Sequence, residues 1–281
     1  MAIGDLSVFG GTGFVGSRFC SISTRKCIKI ARDKRTPATE EILYFISTTD
    51  NYHVFDNTKI DIETNLLILM EVLDQMKSGG GVINFISSWF VYGETKLPAK
   101  ENSLCRPKGF YSITKYAAEE MLKSYCRIFN INYRILRLCN VYGKSDKNVS
   151  KKKNALQYLI SQLQQNKNID LYNDGMFYRD YMYVDDVCYA IELCINEAPL
   201  DCTINIGSGD KILFRDIIDI AKDKLGSTSK YIAVEPPKFH TLIQVKDFYM
   251  NTTKLKSLGF VQNISIEEGV RMLCVDSKIA L

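Results

Sequence analysis

The chain has 281 residues, 46% of them hydrophobic and 24% charged, and this length suits one large domain or one domain with a smaller lobe. The 36 basic and 32 acidic residues leave a net charge of +4, which is too small to predict nucleic-acid binding. Nine cysteines without a C-x-x-C pair and only two histidines disfavour a disulfide framework, a metal site and a Ser-His-Asp triad.

Hydropathy gives no sign of a membrane protein. No apolar run approaches the ~20 residues that span a bilayer. The N-terminus leads directly into a glycine-rich turn, without the apolar region of a signal peptide. We therefore expect a cytoplasmic enzyme or binding protein with reduced thiols and no membrane insertion.

The first predicted element is a short apolar strand at residues 6–9, which is followed at once by Gly10, Gly13 and Gly16. The order of strand, glycine turn and helix brings backbone N–H groups and a helix N-terminus up to a pyrophosphate. The G-x-x-G-x-x-G spacing at this place therefore predicts dinucleotide binding rather than an ordinary loop.

The second predicted strand, residues 27–31, bears on the choice of dinucleotide. The residue at this strand end meets the adenosine ribose, where an acid favours the 2′-OH of NAD and an arginine favours the 2′-phosphate of NADP. Arg32, with Lys34 and Arg35 nearby, favours NADP(H), whereas Asp33 keeps NAD(H) as the alternative.

The third predicted strand, residues 42–46, starts only about ten residues after the second one ends. So short a connection leaves little room for a helix and a further strand, and we expect an abbreviated adenine side of the pocket. Residues 65–73 are helical and largely apolar, which is typical of a helix packed on a sheet.

Polar side chains follow the next predicted strand, residues 81–86, where Ser87 and Ser88 precede Trp89 and Phe90. Ligands of open α/β sheets bind at the carboxyl ends of the strands, so Ser88 is a candidate site residue. Trp89 and Phe90 either line the same pocket or pack in the core.

Tyr111 and Lys115 are four residues apart at the start of a predicted helix, so one turn places the phenol and the ammonium on one face. A phenol with an ordinary pKa near ~10 transfers protons poorly at neutral pH, and a fixed cation beside it lowers that pKa. The pair predicts an acid–base site, although Y-x-x-x-K also occurs on solvated helix faces.

Strands and helices alternate as far as a predicted strand at residues 133–138, which indicates a parallel sheet with helices on both faces. The polar segment 144–153 contains five lysines and predicts either a mobile substrate flap or a surface loop. Beyond it, the pattern predicts a helix at 154–165, a last sheet strand at 204–206, a helix at 214–225 and a small C-terminal lobe.

In order and spacing, the motifs of the chain resemble those of the extended short-chain dehydrogenase/reductases, the NAD(P)-dependent epimerase/dehydratase family that acts on nucleotide sugars. The resemblance covers nearly the whole chain. It implies a Rossmann doubly wound parallel sheet with a smaller C-terminal substrate-binding lobe. The motifs are G-G-T-G-F-V-G at 10–16, S-S-x-x-V-Y-G at 87–93, Y-S-x-x-K at 111–115, R-x-x-N-V-Y-G at 137–143, R-D-Y-x-x-V-D-D at 179–186 and N-I-G-S-G at 205–209.

The resemblance also implies a domain division and a set of partners. The NAD(P)-binding domain would comprise residues 1–143, with residues 177–206 returning to it. The substrate-binding lobe would comprise residues 144–176 and 207–281. Family members often form homodimers through the helices that carry the Asn65 and Tyr111 segments, so a homodimer is expected here.

The roles of individual residues follow from the same resemblance. Tyr111 would exchange a proton with the reacting sugar, Lys115 would hold the nicotinamide ribose and lower the tyrosine pKa, and Ser88 would hydrogen-bond the sugar oxygen. Asn140 and Arg179 would bind the substrate diphosphate. The full expected set is Ser88, Tyr111 and Lys115 for catalysis, Gly10, Gly13, Phe14, Val15, Arg32, Ser47, Tyr111, Lys115 and Leu138 for the cofactor, and Ser88, Trp89, Asn140 and Arg179 for the substrate, with no metal.

One departure from the family pattern narrows the reaction. Members that remove water from the sugar carry one or two acidic residues between the catalytic Ser/Thr and Val-Tyr-Gly, where this chain has Trp89 and Phe90. Neither side chain can shuttle a proton, so a 4,6-dehydratase is disfavoured. The sequence favours NADPH-dependent reduction of a nucleotide-linked 4-keto-deoxysugar, and a 4-epimerase with tightly held NAD is the alternative. A non-catalytic dinucleotide-binding regulator is disfavoured because Ser88, Tyr111 and Lys115 are all present.

Overall fold

A computed structural model of the chain describes residues 4–49, 51–144 and 155–276. Apart from Lys144, the lysine-rich segment predicted as a flap or loop lies outside these residues. In the described part of the chain, no helix has both the length and the apolar character needed to cross a membrane. The strands are β1 (Leu6–Phe9), β2 (Cys27–Ile30), β3 (Glu41–Tyr44), β4 (Val82–Ser88), β5 (Asn132–Leu138), β6 (Asn140–Tyr142), β7 (Ile169–Tyr172), β8 (Tyr178–Arg179), β9 (Tyr181–Tyr183), β10 (Cys202–Ile206), β11 (Ile212–Leu213) and β12 (Tyr231–Val234).

Helices of three kinds connect and cover these strands. The α-helices are α1 (Phe14–Ile22), α2 (His53–Asp56), α3 (Ile60–Ile62), α4 (Ile68–Met76), α5 (Phe110–Phe129), α6 (Ala155–Gln164), α7 (Val184–Glu197), α8 (Phe214–Leu225), α9 (Lys238–Ile243), α10 (Thr253–Ser257) and α11 (Ile266–Asp276). A π-helix spans Glu63–Leu67, and short 3-10 helices span Trp89–Tyr92 and Asn173–Gly175.

Six parallel strands form the central sheet, in the spatial order β10-β5-β4-β3-β1-β2. The chain moves outward from β1 to β2 and then returns to place β3 on the other side of β1. This reversal of direction is the feature of a doubly wound sheet, and it opens a crevice at the carboxyl ends of β1 and β3. The predicted fold class is therefore confirmed.

The sheet separates two hydrophobic clusters, because successive side chains of a strand point to opposite faces. On β1, Leu6 and Val8 belong to one cluster and Phe9 belongs to the other. The first cluster includes the α7 side chains and extends into the C-terminal part of the chain, whereas the second is built from the α4 and α5 side chains. Helices thus cover both faces, as the alternating pattern predicted.

The predicted short connection between the second and third strands is also found. Residues 31–40, between β2 and β3, contain neither helix nor strand, and β2 is the last strand at this side of the sheet as described. The predicted helix at 65–73 is part of a longer helical stretch in which the π-helix Glu63–Leu67 precedes α4. Asn65 lies inside the π-helix and is buried, which periodicity alone does not predict.

Three smaller strand pairs complete the architecture. The parallel pair of β6 and β9 and the antiparallel pair of β8 and β11 position residues 140 and 179 next to the ends of the central strands. The parallel pair of β7 and β12 lies in the C-terminal region, where β12 aligns Tyr231 with Ile169. These pairs are only two to four residues long, too short for a period-2 pattern to indicate them.

Candidate active site

One cavity of about 1510 Å³ lies at the carboxyl ends of the central strands. This volume exceeds that of a typical site for one small ligand, so it suits two ligands side by side. The cavity brings together every residue that the sequence singled out for a site: Gly10, Gly13, Phe14, Val15, Arg32, Ser47, Ser88, Trp89, Tyr111, Lys115, Leu138, Asn140 and Arg179.

The glycine turn after β1 forms one wall of the cavity. Gly10 has a φ of +76°, and a Cβ placed on Gly16 would lie 2.4 Å from the carbonyl oxygen of Gly10. The turn is therefore so tight that a side chain cannot be accommodated at Gly16. Helix α1 begins with Gly13 as its N-cap, without a capping side chain or an acidic residue in its first turn. Its N-terminal N–H groups and the positive end of its dipole therefore suit an anion such as a pyrophosphate.

The turn after β2 distinguishes the basic residues that the sequence grouped together. Arg32 lines the cavity, whereas Asp33 is not among the lining residues and its carboxylate lies 4.0 Å from Nζ of Lys34. Arg35 is bound to Glu71 at 2.5 Å and donates to the carbonyl of Arg32 at 2.9 Å. Of these four side chains, only that of Arg32 is placed to meet a phosphate in the cavity.

Tyr111 lies in the first turn of α5 beside Ser88, the last residue of β4, and only 9% of it is exposed. Burial raises the pKa of Tyr111, while hydrogen bonding with the hydroxyls of Ser88 and Ser47 acts in the lowering direction. The negative charge of Asp61 raises this pKa further. The tyrosine is therefore a neutral phenol with two hydroxyl neighbours, and its hydroxyl keeps its proton at neutral pH.

Lys115 binds the backbone of β4, whereas its ammonium was expected from the sequence to act on Tyr111. Its Nζ donates to the carbonyl of Ile86 at 2.7 Å and lies 4.1 Å from the ring centroid of Phe85. Burial lowers the pKa of Lys115 to about 7, and the charge of Glu119 acts in the opposite direction. The expectation that Lys115 lowers the pKa of Tyr111 is wrong for this arrangement, because burial and the groups named above set that pKa. The ammonium is bound to β4 instead.

Trp89 and Phe90 form an aromatic wall next to Tyr111. The Trp89 ring stacks on Phe90 with centroids 4.1 Å apart and on Phe248 with centroids 4.6 Å apart. Phe90 meets the Tyr111 ring edge-on at 5.8 Å. Both residues line the cavity, and Trp89 is also part of the hydrophobic core. The two alternatives offered by the sequence, lining the pocket and packing in the core, are therefore both true of Trp89.

Arg179 is a buried cation with backbone partners. Its guanidinium donates to the carbonyl of Val245 at 2.9 Å and to the carbonyl of Lys246, and it lies 5.5 Å from the Trp89 ring centroid. Burial lowers the pKa of Arg179. Within the described residues it forms no salt bridge with a carboxylate. The neighbouring side chain of Asn140 donates to the carbonyl of Asp180 at 2.9 Å.

A buried amide network supports the base of the site, and no role was assigned from the sequence to its central residue, Asn65. Asn65 Nδ2 donates to the hydroxyls of Thr48 and Thr114, each at 2.9 Å. Its Oδ1 accepts from Ser47 Oγ at 3.0 Å and from the backbone N–H of Thr48 at 2.8 Å. The network ties the end of β3 to α5, three residues after Tyr111. An asparagine within an apolar helix was the one signal that could have revealed it.

A protein-family model described as the NAD dependent epimerase/dehydratase family matches residues 51–207. A putative UDP-glucose 4-epimerase from Methanocaldococcus jannaschii is 29% identical over 219 residues, which cover 77% of this chain and 70% of the relative. A trifunctional Arabidopsis thaliana protein is 28% identical over 247 residues, which cover 84% of this chain and 36% of the relative. It is described as a UDP-glucose 4,6-dehydratase, UDP-4-keto-6-deoxy-D-glucose 3,5-epimerase and UDP-4-keto-L-rhamnose-reductase.

Solved structures match the whole fold. UDP-glucose 4-epimerase from Thermotoga maritima, solved with UDP-glucose, superposes with a TM-score of 0.86 at 20% identity, covering 98% of this chain and 99% of that chain. RMD from Pseudomonas aeruginosa, solved with NADPH, superposes with a TM-score of 0.82 at 19% identity, covering 99% of this chain and 100% of that chain. At these identities the likeness shows the fold alone.

Proposed function

Because the chain belongs to the NAD dependent epimerase/dehydratase family, we propose that it is an NADPH-dependent reductase of a nucleotide-linked 4-keto-deoxysugar. The observation that carries the choice of a reductase is the abbreviated adenine side, where β2 ends the sheet and residues 31–40 form no covering helix. A reductase must exchange its cofactor in every turnover, and an exposed adenine side favours that exchange.

The chain's own residues supply the proton chemistry and the binding. The bound cofactor would supply the hydride that adds to the keto carbon. Tyr111 would give its hydroxyl proton to the ketone oxygen, so that the ketone becomes an alcohol, while Ser88 hydrogen-bonds the same oxygen. Lys115 would bind the nicotinamide ribose. The glycine turn and the start of α1 would hold the pyrophosphate.

The substrate diphosphate would bind beside Arg179 and Asn140. A buried guanidinium without a carboxylate partner among the described residues is costly, and a diphosphate would supply the missing charge. The aromatic wall of Trp89 and Phe90 offers no carboxylate next to Tyr111, which supports reduction over dehydration. We also propose that residues 1–143 and 177–206 form the cofactor-binding domain, and that residues 144–176 and 207–281 form a substrate-binding lobe that closes the site beside Asn140 and Arg179.

A 4-epimerase with bound NAD is the second candidate, because relatives described as UDP-glucose 4-epimerases match the chain. The deciding experiment measures NADPH consumption at 340 nm with a nucleotide-linked 4-keto-6-deoxyhexose, together with the cofactor that copurifies. Substrate-dependent NADPH oxidation by a protein free of cofactor supports the reductase. Full occupancy by NAD, with interconversion of UDP-glucose and UDP-galactose, overturns it in favour of the epimerase.

Arg32 provides a test of cofactor preference. We expect Arg32→Ala to weaken NADPH binding about tenfold and to leave NADH binding unchanged, because only NADPH carries the 2′-phosphate. Lys34→Ala is the matched control, since it removes a neighbouring positive charge that does not line the cavity. Fluorescence titration measures all the dissociation constants. An equal loss of NADPH affinity in Arg32→Ala and Lys34→Ala would contradict the assignment of Arg32 to the 2′-phosphate. So would a loss of NADH affinity in Arg32→Ala as large as the loss for NADPH.

A homodimer through the outer surface of α5 is a further part of the proposal. Phe110, Ile113, Met121 and Ile128 on this helix are 43%, 47%, 39% and 70% exposed, and their spacing places them on one stripe. We expect Ile113→Glu to convert a dimer into a monomer in sedimentation velocity experiments. Ile232→Glu on β12 is the matched control, because Ile232 is 45% exposed at a distant position. A wild-type monomer, or dissociation by the control alone, would contradict this interface.

A further inference from the structure

Helix α5 meets the end of β4 through three side chains on one helical face. Tyr111 lies beside Ser88 in the cavity, Lys115 Nζ donates to the carbonyl of Ile86 at 2.7 Å, and Glu119 accepts from Ser87 Oγ at 2.5 Å. The three helix residues follow each other at intervals of four, and their partners are three successive strand residues. The motif of this site is therefore longer than Y-x-x-x-K, because it includes the glutamate one turn further along.

Glu119 is completely buried, and its carboxylate contacts polar side chains of two sheet strands. Arg137 on β5 binds both carboxylate oxygens, at 3.0 and 2.6 Å. Ser87 and Arg137 are aligned partners on β4 and β5, so Glu119 receives both side chains from the same face of the sheet. This double contact with a guanidinium fixes the orientation of the carboxylate.

The carboxylate of Glu119 also affects the pKa of Lys115. Burial lowers the pKa of Lys115, and the charge of Glu119 is what opposes that change. The other titratable groups around Glu119 are Arg137, Tyr116 on α5 and Cys105 in the preceding loop, and Tyr92 lies under Arg137. Of these groups, Arg137 carries a positive charge. If Glu119 were replaced by a neutral residue, the charge of Arg137 would disfavour the protonated form of Lys115.

We propose that Glu119 is a positioning residue of this site, which holds the strand end carrying Ser88 through Ser87 and, one helical turn from Lys115, favours the ammonium form of that lysine. The assignment of a function to Glu119 rests on the proposed reductase. Its effect on Lys115 is a property of the protein alone, so it can be measured without a substrate. Neither effect requires Glu119 to touch the substrate or the cofactor.

The test compares Glu119→Gln and Ser87→Ala with the wild type. NMR of protein labelled with ¹³C at lysine Cε, with Lys115→Met to assign the signal, follows the titration of Lys115 directly. We expect Glu119→Gln to move this titration to lower pH by about half a unit or more, and the alkaline limb of kcat to move with it. Ser87→Ala keeps the charge, so it should lower kcat about tenfold without moving the titration.

Ser7→Ala is the matched control for Ser87→Ala, because Ser7 is also buried and hydrogen-bonded on a central strand, away from Glu119. An unchanged Lys115 titration in Glu119→Gln overturns the electrostatic role. Equal kcat values for Ser87→Ala and Ser7→Ala overturn the positioning role. If Glu119→Gln does not fold, the comparison of the two serine variants still tests that role. A shifted titration in a protein without reductase turnover would uphold the effect on Lys115 and refute the proposed reaction.

Discussion

Replacing Tyr111 by phenylalanine should lower kcat for the 4-keto nucleotide sugar about a thousandfold and leave NADPH affinity within about twofold. The substitution removes only the hydroxyl, which is the group placed beside Ser88 and Ser47. The edge-on contact between ring 111 and Phe90 needs no hydroxyl, so the aromatic wall should persist. The measurement is single-turnover NADPH oxidation with saturating substrate, combined with fluorescence titration of NADPH.

Tyr116→Phe is the control for this prediction. Tyr116 lies on the same helix five residues later, and it is not among the residues that line the cavity. Its loss of a hydroxyl should leave kcat unchanged. If Tyr111→Phe retains wild-type turnover, the proton comes from another group and the proposed role of Tyr111 is wrong.

The second large effect is expected at Arg179. Arg179→Met should raise KM for the nucleotide sugar about a hundredfold, because truncating a buried, hydrogen-bonded charge at a binding surface typically costs roughly 2 to 5 kcal/mol. NADPH affinity should be unchanged if this residue serves only the substrate side. Methionine keeps most of the apolar contact with Trp89, since its side chain is long and flexible.

The Arg179 prediction needs a separate measure of folding, because the guanidinium also binds the carbonyls of Val245 and Lys246. Thermal unfolding should show a small change, since the loss of these hydrogen bonds is offset by the removal of a buried charge. Arg179→Lys keeps the charge but cannot bind two oxygens through a planar guanidinium. Its KM should therefore lie between the KM of the wild type and that of Arg179→Met. A wild-type KM in a folded Arg179→Met variant would refute the diphosphate assignment.

The sequence allowed the fold to be predicted because its long elements carry strong patterns. The strands β1 and β4 and the helix α8 follow from apolar runs and helical periodicity, and the brief connection before β3 correctly predicted that no helix lies between β2 and β3. The short strand pairs were missed, because two to four residues carry no readable alternation.

The site was predicted as a set of residues more successfully than as a set of interactions. Motif spacing brought Ser88, Tyr111 and Arg179 to one cavity. The partner of Lys115 could not be predicted, because it is a backbone carbonyl, and every residue has one. Burial of the phenol likewise depends on the aromatic wall and on tertiary packing. Helical spacing alone suggested a lower tyrosine pKa, whereas the packed site raises it.

The shortened side of the sheet has a consequence for how molecules of this protein meet in solution. Strand β2 has only four residues, and in the described part of the chain its outer edge carries no further strand. A long, flat and apolar edge of this kind would invite strands of other molecules to pair with it. Brevity and the exposed charge of Lys29 at the middle of the strand oppose such pairing. We therefore expect Lys29, which also lines the cavity, to disfavour edge-to-edge pairing between molecules.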